Sequence, residues 1–211
     1  MKKIVFTALV MALSLTMTAK KPSILYKGNT EAQQMWVDSV YNSMSSRERA
    51  AQLFIPMVDP RGGASSKATI SKWVETHKMG GLLFSKGSIS EYVTMTNYAQ
   101  SIADVPVLMT LDGEWGFPMR VKNTPRFPYN MGLGAIDDEQ LLYEYGKEMA
   151  RECRLMGIHV NFAPVLDVNS NPSNPVIGYR SFGEDPARVS RLGVAYSRGL
   201  EDGNVLSVSK H

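Results

Sequence analysis

Apolar residues in this chain occur in short continuous runs, separated by longer stretches in which apolar and polar positions follow a helical period. A short apolar run bounded by turn residues is typical of a strand buried on both faces of a parallel sheet. Such runs predict strands at residues 54–58, 80–85, 105–112, 158–168 and 205–209. The sequence MGLGAI at 131–136 is a weaker candidate for one more short strand.

The stretches between these runs carry apolar residues at three- and four-residue steps, which is the pattern of a helix with one buried face. The predicted helices cover about residues 31–44, 45–54, 66–78, 90–103, 139–156 and 186–202. Ser45 or Ser46 is placed to cap the second helix, and Glu48 completes a capping box if Ser45 is the cap. Asp137 or Asp138 is placed to cap the long helix at 139–156. In that long helix we expect a buried stripe that consists of Leu141, Tyr145, Met149, Cys153 and Met156.

Strands that alternate with helices predict an α/β fold built on a parallel sheet, as either a (β/α)8 barrel or a doubly wound sheet. No glycine-rich dinucleotide-binding sequence follows the first predicted strand, which disfavours the doubly wound alternative. A complete barrel of this type needs about 250 residues. With 211 residues and about five predicted strands, the sequence predicts a partial TIM-type barrel that contains the first five strands.

The N-terminus has the layout of a secretory signal peptide, with two lysines, an apolar run and then small residues up to Ala19. The apolar run is too short for a comfortable membrane span. We therefore expect a signal peptide at 1–19, an N-terminal segment with a helix at 20–44, and export to the periplasm or the cell exterior. The alternative is a short N-terminal anchor helix.

Composition narrows the classes of ligand. The chain is 44% hydrophobic and 20% charged with a net charge of +3, and its basic residues are dispersed, so a nucleic-acid partner is not expected. The single cysteine, Cys153, and the three histidines are far apart in the sequence and show no metal-ligand spacing. We expect no metal, no cofactor and no stable membrane insertion, and we interpret His159 as a structural residue.

Polar residues follow three successive predicted strands, at the strand ends where a (β/α)8 barrel places its functional groups. They are Asp112, Arg120, Arg180, Lys210 and His211. Carboxylates accept hydrogen bonds from sugar hydroxyls, and arginine and lysine donate to hydroxyl and carbonyl oxygens. The five residues are therefore candidates for binding a polyhydroxylated or anionic ligand. Each residue alone could equally be a helix cap or part of a surface ion pair.

Three segments carry a family resemblance: VLMTLDGEWGFPMR, NFAPVLDVNSNPSNPVIGYRSFGEDP and the terminal SKH. Together they resemble the N-terminal barrel domain of glycoside hydrolase family three, over about residues 45–211. The form IGYRSFG resembles the β-N-acetylglucosaminidase branch of that family. The resemblance implies a retaining exo-glycosidase, active on carbohydrate, that releases terminal β-linked N-acetylglucosamine without a cofactor.

The resemblance also implies roles for the strand-end residues. Asp112 matches the aspartate that binds hydroxyls of the sugar in the cleavage subsite, and Arg120 matches the arginine that follows in the same loop. Arg180 matches the arginine of the RSFG loop. Lys210 and His211 match a Lys-His pair that contacts the sugar.

The loop after Asp112 departs from the branch, which often has Glu-Gly-Gly-Arg where this chain has EWGF. Trp115 and Phe117 could stack on a sugar, although core packing is the default interpretation of both rings. Glu114 and Asp167 could be mistaken for a catalytic pair. We interpret each of these two carboxylates as a structural ion pair or a cap.

The resemblance implies that the catalytic groups lie beyond His211, since the family's aspartate nucleophile is on a later strand and its His–Asp acid/base pair follows the Lys-His. We expect no catalytic residue in these 211 residues, an incomplete barrel domain and an inactive isolated fragment. Alternatives are a β-glucosidase or β-xylosidase of the same family, or a non-catalytic sugar-binding remnant. A barrel enzyme with phosphorylated substrates is a further alternative.

Overall fold

A computed structural model describes residues 30–211, and its centre is a sheet of five parallel strands. The strands are β1 (Met57–Val58), β2 (Gly81–Phe84), β3 (Leu108–Leu111), β4 (Val160–Asn161) and β5 (Leu206–Ser207). Each strand pairs with the next along the chain, so the order has no reversal. A doubly wound sheet reverses its strand order, whereas a (β/α)8 barrel does not. The predicted α/β fold with five barrel-type strands is confirmed.

Helices precede and connect the strands. They are α1 (Thr30–Ser43), α2 (Ser46–Ala51), α3 (Ala64–Ser71), α4 (Ile89–Ser101), α5 (Asn130–Ile136), α6 (Glu139–Leu155) and α7 (Pro186–Asp202). The predicted signal peptide at 1–19 lies outside the described residues. Among residues 30–211 no helix has the length and hydropathy to cross a membrane.

Side-chain hydrogen bonds cap the starts of helices α2, α4, α6 and α7. Ser45 and Glu48 form a reciprocal capping box at α2, and Ser88 forms a second one with Glu91 at α4. Asp138, rather than Asp137, caps α6 through a hydrogen bond from the backbone N–H of Leu141. Such caps satisfy backbone donors that have no partner within the helix.

The core lies between the sheet and the helices outside it. Val58, Leu82, Phe84, Met109 and Leu111 project from the outer face of the sheet and are at most 3% exposed. On the outer layer, α6 and α7 pack closely through glycines. A Cβ on Gly146 would lie 2.3 Å from the carbonyl oxygen of Tyr196, so the two backbones can approach only with glycine there.

The first strand is more exposed than predicted. We expected a buried strand over 54–58, but only Met57–Val58 is strand, and Phe54 and Met57 are 60% and 67% exposed. Within the described residues β1 pairs only with β2, so one edge and the inner face of this strand are uncovered. Leu108, on the same inner face, is 44% exposed.

Three further predictions need correction. Residues 131–136 belong to helix α5, which buries Asn130, Leu133 and Gly134 on one face; a Cβ at Gly134 would clash with the backbone of Phe182. The strand predicted at 158–168 covers only Val160–Asn161, and parallel pairing resumes after Pro164, which has no N–H, at an isolated bridge between Val165 and Lys210. In α6 the buried stripe contains Leu142, whereas Leu141 is 46% exposed.

One buried carboxylate in α6 lacks hydrogen-bond partners. The side chain of Glu152 belongs to a residue that is 8% exposed, and no described donor contacts either of its oxygens. Burial, together with the nearby charge of Glu148, raises the pKa of Glu152 above its ordinary value. A buried polar group without a partner destabilises the folded state.

We therefore expect Glu152→Gln to raise the free energy of unfolding by about 1 kcal/mol at pH 7. A raised native pKa means that the wild-type protein loses stability as the pH rises through that pKa, so the advantage of the variant should grow from pH 4 to pH 7. Urea unfolding at several pH values measures this. Glu144→Gln, on an exposed turn of the same helix, is the control. An equal effect of both variants at every pH would contradict the explanation.

Candidate functional site

The five residues predicted from the strand ends meet at the carboxyl edge of the sheet. Asp112 directly follows β3, and Arg120 lies in the same loop, at the end of a short 3₁₀ turn. Arg180 lies in the loop between β4 and α7, and Lys210 and His211 follow β5. Side-chain hydrogen bonds connect all five into one network, which we call the charged cluster together with Glu114 and Asp167.

The Asp112 carboxylate is hydrogen-bonded to two cationic side chains from different loops. The ammonium group of Lys210 donates to Oδ1 at 2.6 Å, and Nη2 of Arg120 donates to Oδ2. The Nε of Arg120 also donates to the backbone carbonyl of Asp112 at 3.2 Å. All three side chains are about four-fifths buried or slightly less. The Asp112 carboxylate is therefore fixed in orientation and only partly open to solvent.

Glu114 occupies the middle of the cluster, and its side chain is 2% exposed. Arg180 donates to both carboxylate oxygens, with Nε at 2.8 Å and Nη2 at 2.7 Å. Lys210 lies 2.8 Å from Oε1 of the same carboxylate. The bidentate geometry of the Arg180–Glu114 pair is the strong form of an arginine–carboxylate interaction. Because Lys210 binds the same carboxylate, Glu114 positions both cations.

His211 extends the network to a third carboxylate. Its Nδ1 lies 2.7 Å from Oδ2 of Asp167, and its Nε2 lies 3.1 Å from Nη2 of Arg180. A guanidinium can only donate and a carboxylate can only accept. The geometry therefore fits a neutral imidazole with its proton on Nδ1, in which Nε2 accepts from Arg180.

Two opposing effects, burial and hydrogen bonds from cations, determine the pKa values of the carboxylates in the cluster. Burial acts to raise the pKa of Asp112, but hydrogen bonds from Lys210 and Arg120 outweigh it and hold that pKa below its ordinary value. Burial acts in the same way on Glu114, and Arg180 and Lys210 again lower the pKa. The bond to Glu114 in turn raises the pKa of Arg180. Both carboxylates are ionised near neutral pH, with the cations beside them.

Backbone contacts hold these loops in place. The side-chain amide of Asn161 in β4 accepts from the N–H of Gly113 at 3.1 Å and donates to its carbonyl at 3.3 Å. The backbone of Lys210 pairs with the segment after β4, donating to the carbonyl of Pro164 at 3.1 Å. Asn130, itself 2% exposed, donates to the carbonyl of Arg180 at 2.7 Å. The cluster is thus preorganised by the fold.

A cleft leads to the cluster from the side of β1 and β2. Asp112 and Arg120 form one wall, and Met57, Leu83 and Lys86 are on the other side. The cleft offers an ionised carboxylate, a guanidinium and an ammonium group around an apolar floor. Such a surface can exchange several hydrogen bonds with hydroxyl groups while apolar carbons rest on Met57 and Leu83.

Two members of the charged cluster were not among the predicted binding residues. We interpreted Glu114 and Asp167 as structural ion pairs or caps. Glu114 is ion-paired and Asp167 is hydrogen-bonded to His211, but both contacts lie within the cluster itself. For Glu114, its position two residues after Asp112, at the end of a strand, could have indicated membership of the cluster. For Asp167 no local pattern indicated membership, because its partner His211 is 44 residues away in the sequence.

Other residues with candidate chemistry lie outside the cluster. His159 accepts a hydrogen bond at Nδ1 from the backbone N–H of Met109 at 3.0 Å, as befits a structural residue. Cys153 is fully buried. Phe117 is 1% exposed and belongs to the core, whereas Trp115 is only half-buried. Within residues 30–211 no group of histidine, cysteine and carboxylate side chains could hold a metal ion.

Comparison with known proteins agrees with this arrangement of strands and strand-end residues. The sequence profile of the glycosyl hydrolase family 3 N terminal domain matches residues 45–211. The chain belongs to glycoside hydrolase family 3. Its charged cluster is therefore the strand-end region of a family 3 N-terminal domain.

Relatives in this family include hexosaminidases and a dual-named enzyme. Beta-hexosaminidase A of Pseudoalteromonas piscicida is 35% identical over 155 residues, covering 67% of this chain and 26% of the relative. An enzyme of Cellulomonas fimi named beta-N-acetylglucosaminidase/beta-glucosidase is 26% identical over 176 residues, covering 83% of this chain and 30% of the relative. The chain thus spans about a third or less of these proteins.

A solved structure shares the fold. The family 3 beta-N-acetylglucosaminidase from Paenibacillus sp. str. FPU-7 superposes with a TM-score of 0.72 at 34% sequence identity. The match covers 80% of this chain and 33% of that protein. This family 3 chain therefore has the TIM-type fold of the N-terminal domain.

Proposed function

We propose that the protein containing this chain is a retaining exo-glycosidase that releases terminal β-linked N-acetylglucosamine, and that the charged cluster binds the terminal sugar. The observation that carries the proposal is the convergence of Asp112, Arg120, Arg180, Lys210 and His211 in one hydrogen-bonded cluster, of which Asp112 and Arg120 line the cleft. The hexosaminidase names of relatives support the choice of sugar.

The chemistry of the cluster suits binding rather than bond cleavage. A carboxylate whose charge is neutralised by paired cations is a weak nucleophile, and a general acid needs a transferable proton. Asp112 and Glu114 instead each accept from two cations, and their pKa values are lowered. We therefore assign both groups to substrate binding and its support, and place the nucleophile and the acid/base outside these residues.

Sugar binding at Asp112 requires little reorganisation. A carboxylate oxygen has more than one acceptor site, so Oδ1 and Oδ2 can each accept from a sugar hydroxyl while retaining Lys210 or Arg120. The cations beside it can donate to the oxygens of the same hydroxyls. Because the three side chains are already ordered, binding costs little side-chain entropy.

Two alternatives stay within the same chemistry. A β-glucosidase or β-xylosidase would use the same hydroxyl-binding groups, and the Cellulomonas fimi relative carries a beta-glucosidase name as well. A non-catalytic sugar-binding protein would keep the cluster without the catalytic groups.

We also propose export to the periplasm or the cell exterior, on the signal-like sequence at 1–19. Mass spectrometry of the mature N-terminus tests this.

We expect the protein expressed from the complete reading frame to hydrolyse 4-nitrophenyl β-N-acetylglucosaminide with a kcat/KM about tenfold or more above that for the β-glucoside and the β-xyloside. The 211-residue chain alone should show no hydrolysis and is the matched control. A preference for the glucoside would favour the first alternative. Sugar binding without hydrolysis by the complete protein would favour the second.

A further inference from the structure

A side-chain amide lies at each end of strand β3 and hydrogen-bonds to the backbone there. At the start, the amide of Gln100 in α4 donates to the carbonyl of Val107 at 2.8 Å and accepts from its N–H at 3.0 Å. At the end, the amide of Asn161 in β4 accepts from the N–H of Gly113 at 3.1 Å and donates to its carbonyl at 3.3 Å. The two contacts have the same chemistry, but the second is next to the charged cluster, whereas the first is at the opposite edge of the sheet.

The contact at Gly113 continues the pairing of β3 with β4 beyond the last residue of β3. In the ladder Leu111 lies opposite Asn161, and the carbonyl of Leu111 accepts from the N–H of Phe162 at 2.8 Å. Gly113 is buried and lies beyond the end of the strand, so the Asn161 side chain takes the place of a neighbouring strand. Buried backbone groups need such partners, and the chain can therefore leave the sheet at Asp112 in one fixed direction.

Gly113 lies between Asp112 and Glu114, the two carboxylates that this loop contributes to the cluster. Its N–H belongs to the peptide bond that follows Asp112, and its carbonyl belongs to the peptide bond that precedes Glu114. Asn161 therefore fixes both peptide planes, and with them the directions in which the two side chains leave the backbone. Glycine has the widest backbone freedom of all residues, so a restraint from outside the loop has a large effect at this position.

Asn161 is not itself placed to touch a ligand. The residue is 1% exposed, and because it lies opposite Leu111 its side chain projects from the outer face of the sheet, toward the helices. The outward side chains described above for β1 to β3 are all apolar, so a buried amide at this position needs a specific reason. The backbone carbonyl of Asn161 accepts from the N–H of Val208 at 3.0 Å, in the segment that leads to Lys210. Asn161 thus connects the loop of Asp112 with the strand that carries its ion-pair partner.

We propose that Asn161 is a positioning residue, which through Gly113 orients the Asp112 carboxylate that binds the terminal sugar. This inference rests on the proposed function. An amide suits the task because it accepts from the N–H and donates to the carbonyl, whereas an ionised carboxylate can only accept and an aliphatic side chain does neither. Loss of the two bonds leaves the loop free to shift, and displacement of a binding group by about 1 Å can lower activity about 100-fold.

The test is steady-state kinetics with 4-nitrophenyl β-N-acetylglucosaminide in the protein expressed from the complete reading frame. Asn161→Leu keeps the approximate size of the side chain and removes both hydrogen bonds. We expect it to lower kcat/KM about 10- to 100-fold and to raise KM at least about fivefold. Partial unfolding alone would not produce this result, because it reduces the amount of active enzyme, which lowers the apparent kcat and leaves KM unchanged.

Gln100→Met is the matched control, because it removes the same pair of hydrogen bonds to a backbone residue at the other end of β3. Its side chain also keeps the approximate size of the original. The control should lower the free energy of unfolding in urea to an extent similar to Asn161→Leu. It should leave KM within about twofold of wild type, since Val107 lies far along the strand from the cluster.

A double variant tests whether the effect passes through Asp112. In an Asp112→Ala background the carboxylate to be oriented is absent, so Asn161→Leu should lower kcat/KM by less than about a further threefold. The full 10- to 100-fold loss in that background, about as large as in the single variant, would overturn the inference. An unchanged KM in Asn161→Leu, or an equal rise of KM in Gln100→Met, would also overturn it, and all three results would leave the proposed function standing.

Two further outcomes are covered by the same experiment. If Asn161→Leu fails to fold, Asn161→Ser, which retains a hydroxyl for one of the two bonds, takes its place, with a KM expected to rise at least about threefold. An unchanged KM in the serine variant would overturn the inference. Complete wild-type protein that neither hydrolyses nor binds the acetylglucosaminide would overturn the proposed function, and the inference with it.

Discussion

Replacing Asp112 with alanine is expected to lower kcat/KM for the acetylglucosaminide about 1,000-fold or more in the complete protein. The carboxylate is the acceptor nearest the cleft, and its loss removes hydrogen bonds to the sugar that no neighbouring side chain can replace. It also frees Lys210 and Arg120 from their shared partner, so that both cations lose their set orientation. Steady-state kinetics with the nitrophenyl substrate measure the effect.

Asp104→Ala is the matched control for this prediction. Asp104 also pairs with a lysine, Lys78, but it lies before β3, at the opposite edge of the sheet from the cluster. Its removal should change kcat/KM less than about twofold, since exposed ion pairs contribute little. If Asp112→Ala retained activity within tenfold of wild type, Asp112 would not contact the substrate.

Replacing Glu114 with glutamine is expected to lower the free energy of unfolding by about 2–3 kcal/mol at neutral pH. Removal of one charge from a buried pair leaves the others without compensation, and Glu114 faces both Arg180 and Lys210 at 2% side-chain exposure. The partial exposure of the two cations keeps the expected loss at the lower end. Urea unfolding, followed by circular dichroism, measures the difference.

The pH dependence of the same variant has a definite sign. The pKa of Glu114 is lowered in the folded protein, since the hydrogen bonds from Arg180 and Lys210 outweigh burial. Its contribution to stability is therefore present above the pKa of the unfolded chain and is lost as the pH falls through the lower, native pKa. Glu114→Gln should reduce stability most at neutral pH and converge on wild type in acid.

Glu148→Gln provides the control for Glu114→Gln. Glu148 also binds an arginine with two hydrogen bonds, from Arg151 at 2.8 and 2.7 Å, but on the exposed surface of α6. Its replacement should cost less than about 1 kcal/mol. Equal losses of unfolding free energy in the two variants would contradict the explanation that burial makes the Glu114 ion pair more stabilising than an exposed one.

The cluster combines two properties that a sugar site needs. Its polar groups are ordered before the ligand arrives, because each hydrogen-bonds to another across loops that follow three different strands. Its charges nearly cancel, so a neutral sugar meets directed donors and acceptors rather than a strong net field. Preorganised polar groups of this kind bind with less entropic cost than mobile ones.

The sequence alone determined the order of the five strands and of the helices except α5, the capping box at Ser45, and the five strand-end residues that meet in the cluster. These features depend on local periodicity, on side chains that reach their own backbone, and on the rule that parallel strands end at one edge. Each of these can be seen in a short window of the chain.

Only the tertiary structure decided which partners the polar groups have. Glu114 and Arg180 are 66 residues apart, and Lys210 and Asp112 are 98 apart, so no local pattern pairs them. The exposure of β1, the helix at 131–136 and the contact of Tyr129 with Tyr179 likewise depend on neighbours distant in sequence. Burial and pairing are properties of the packed chain, and sequence periodicity specifies only which face of each element is available for them.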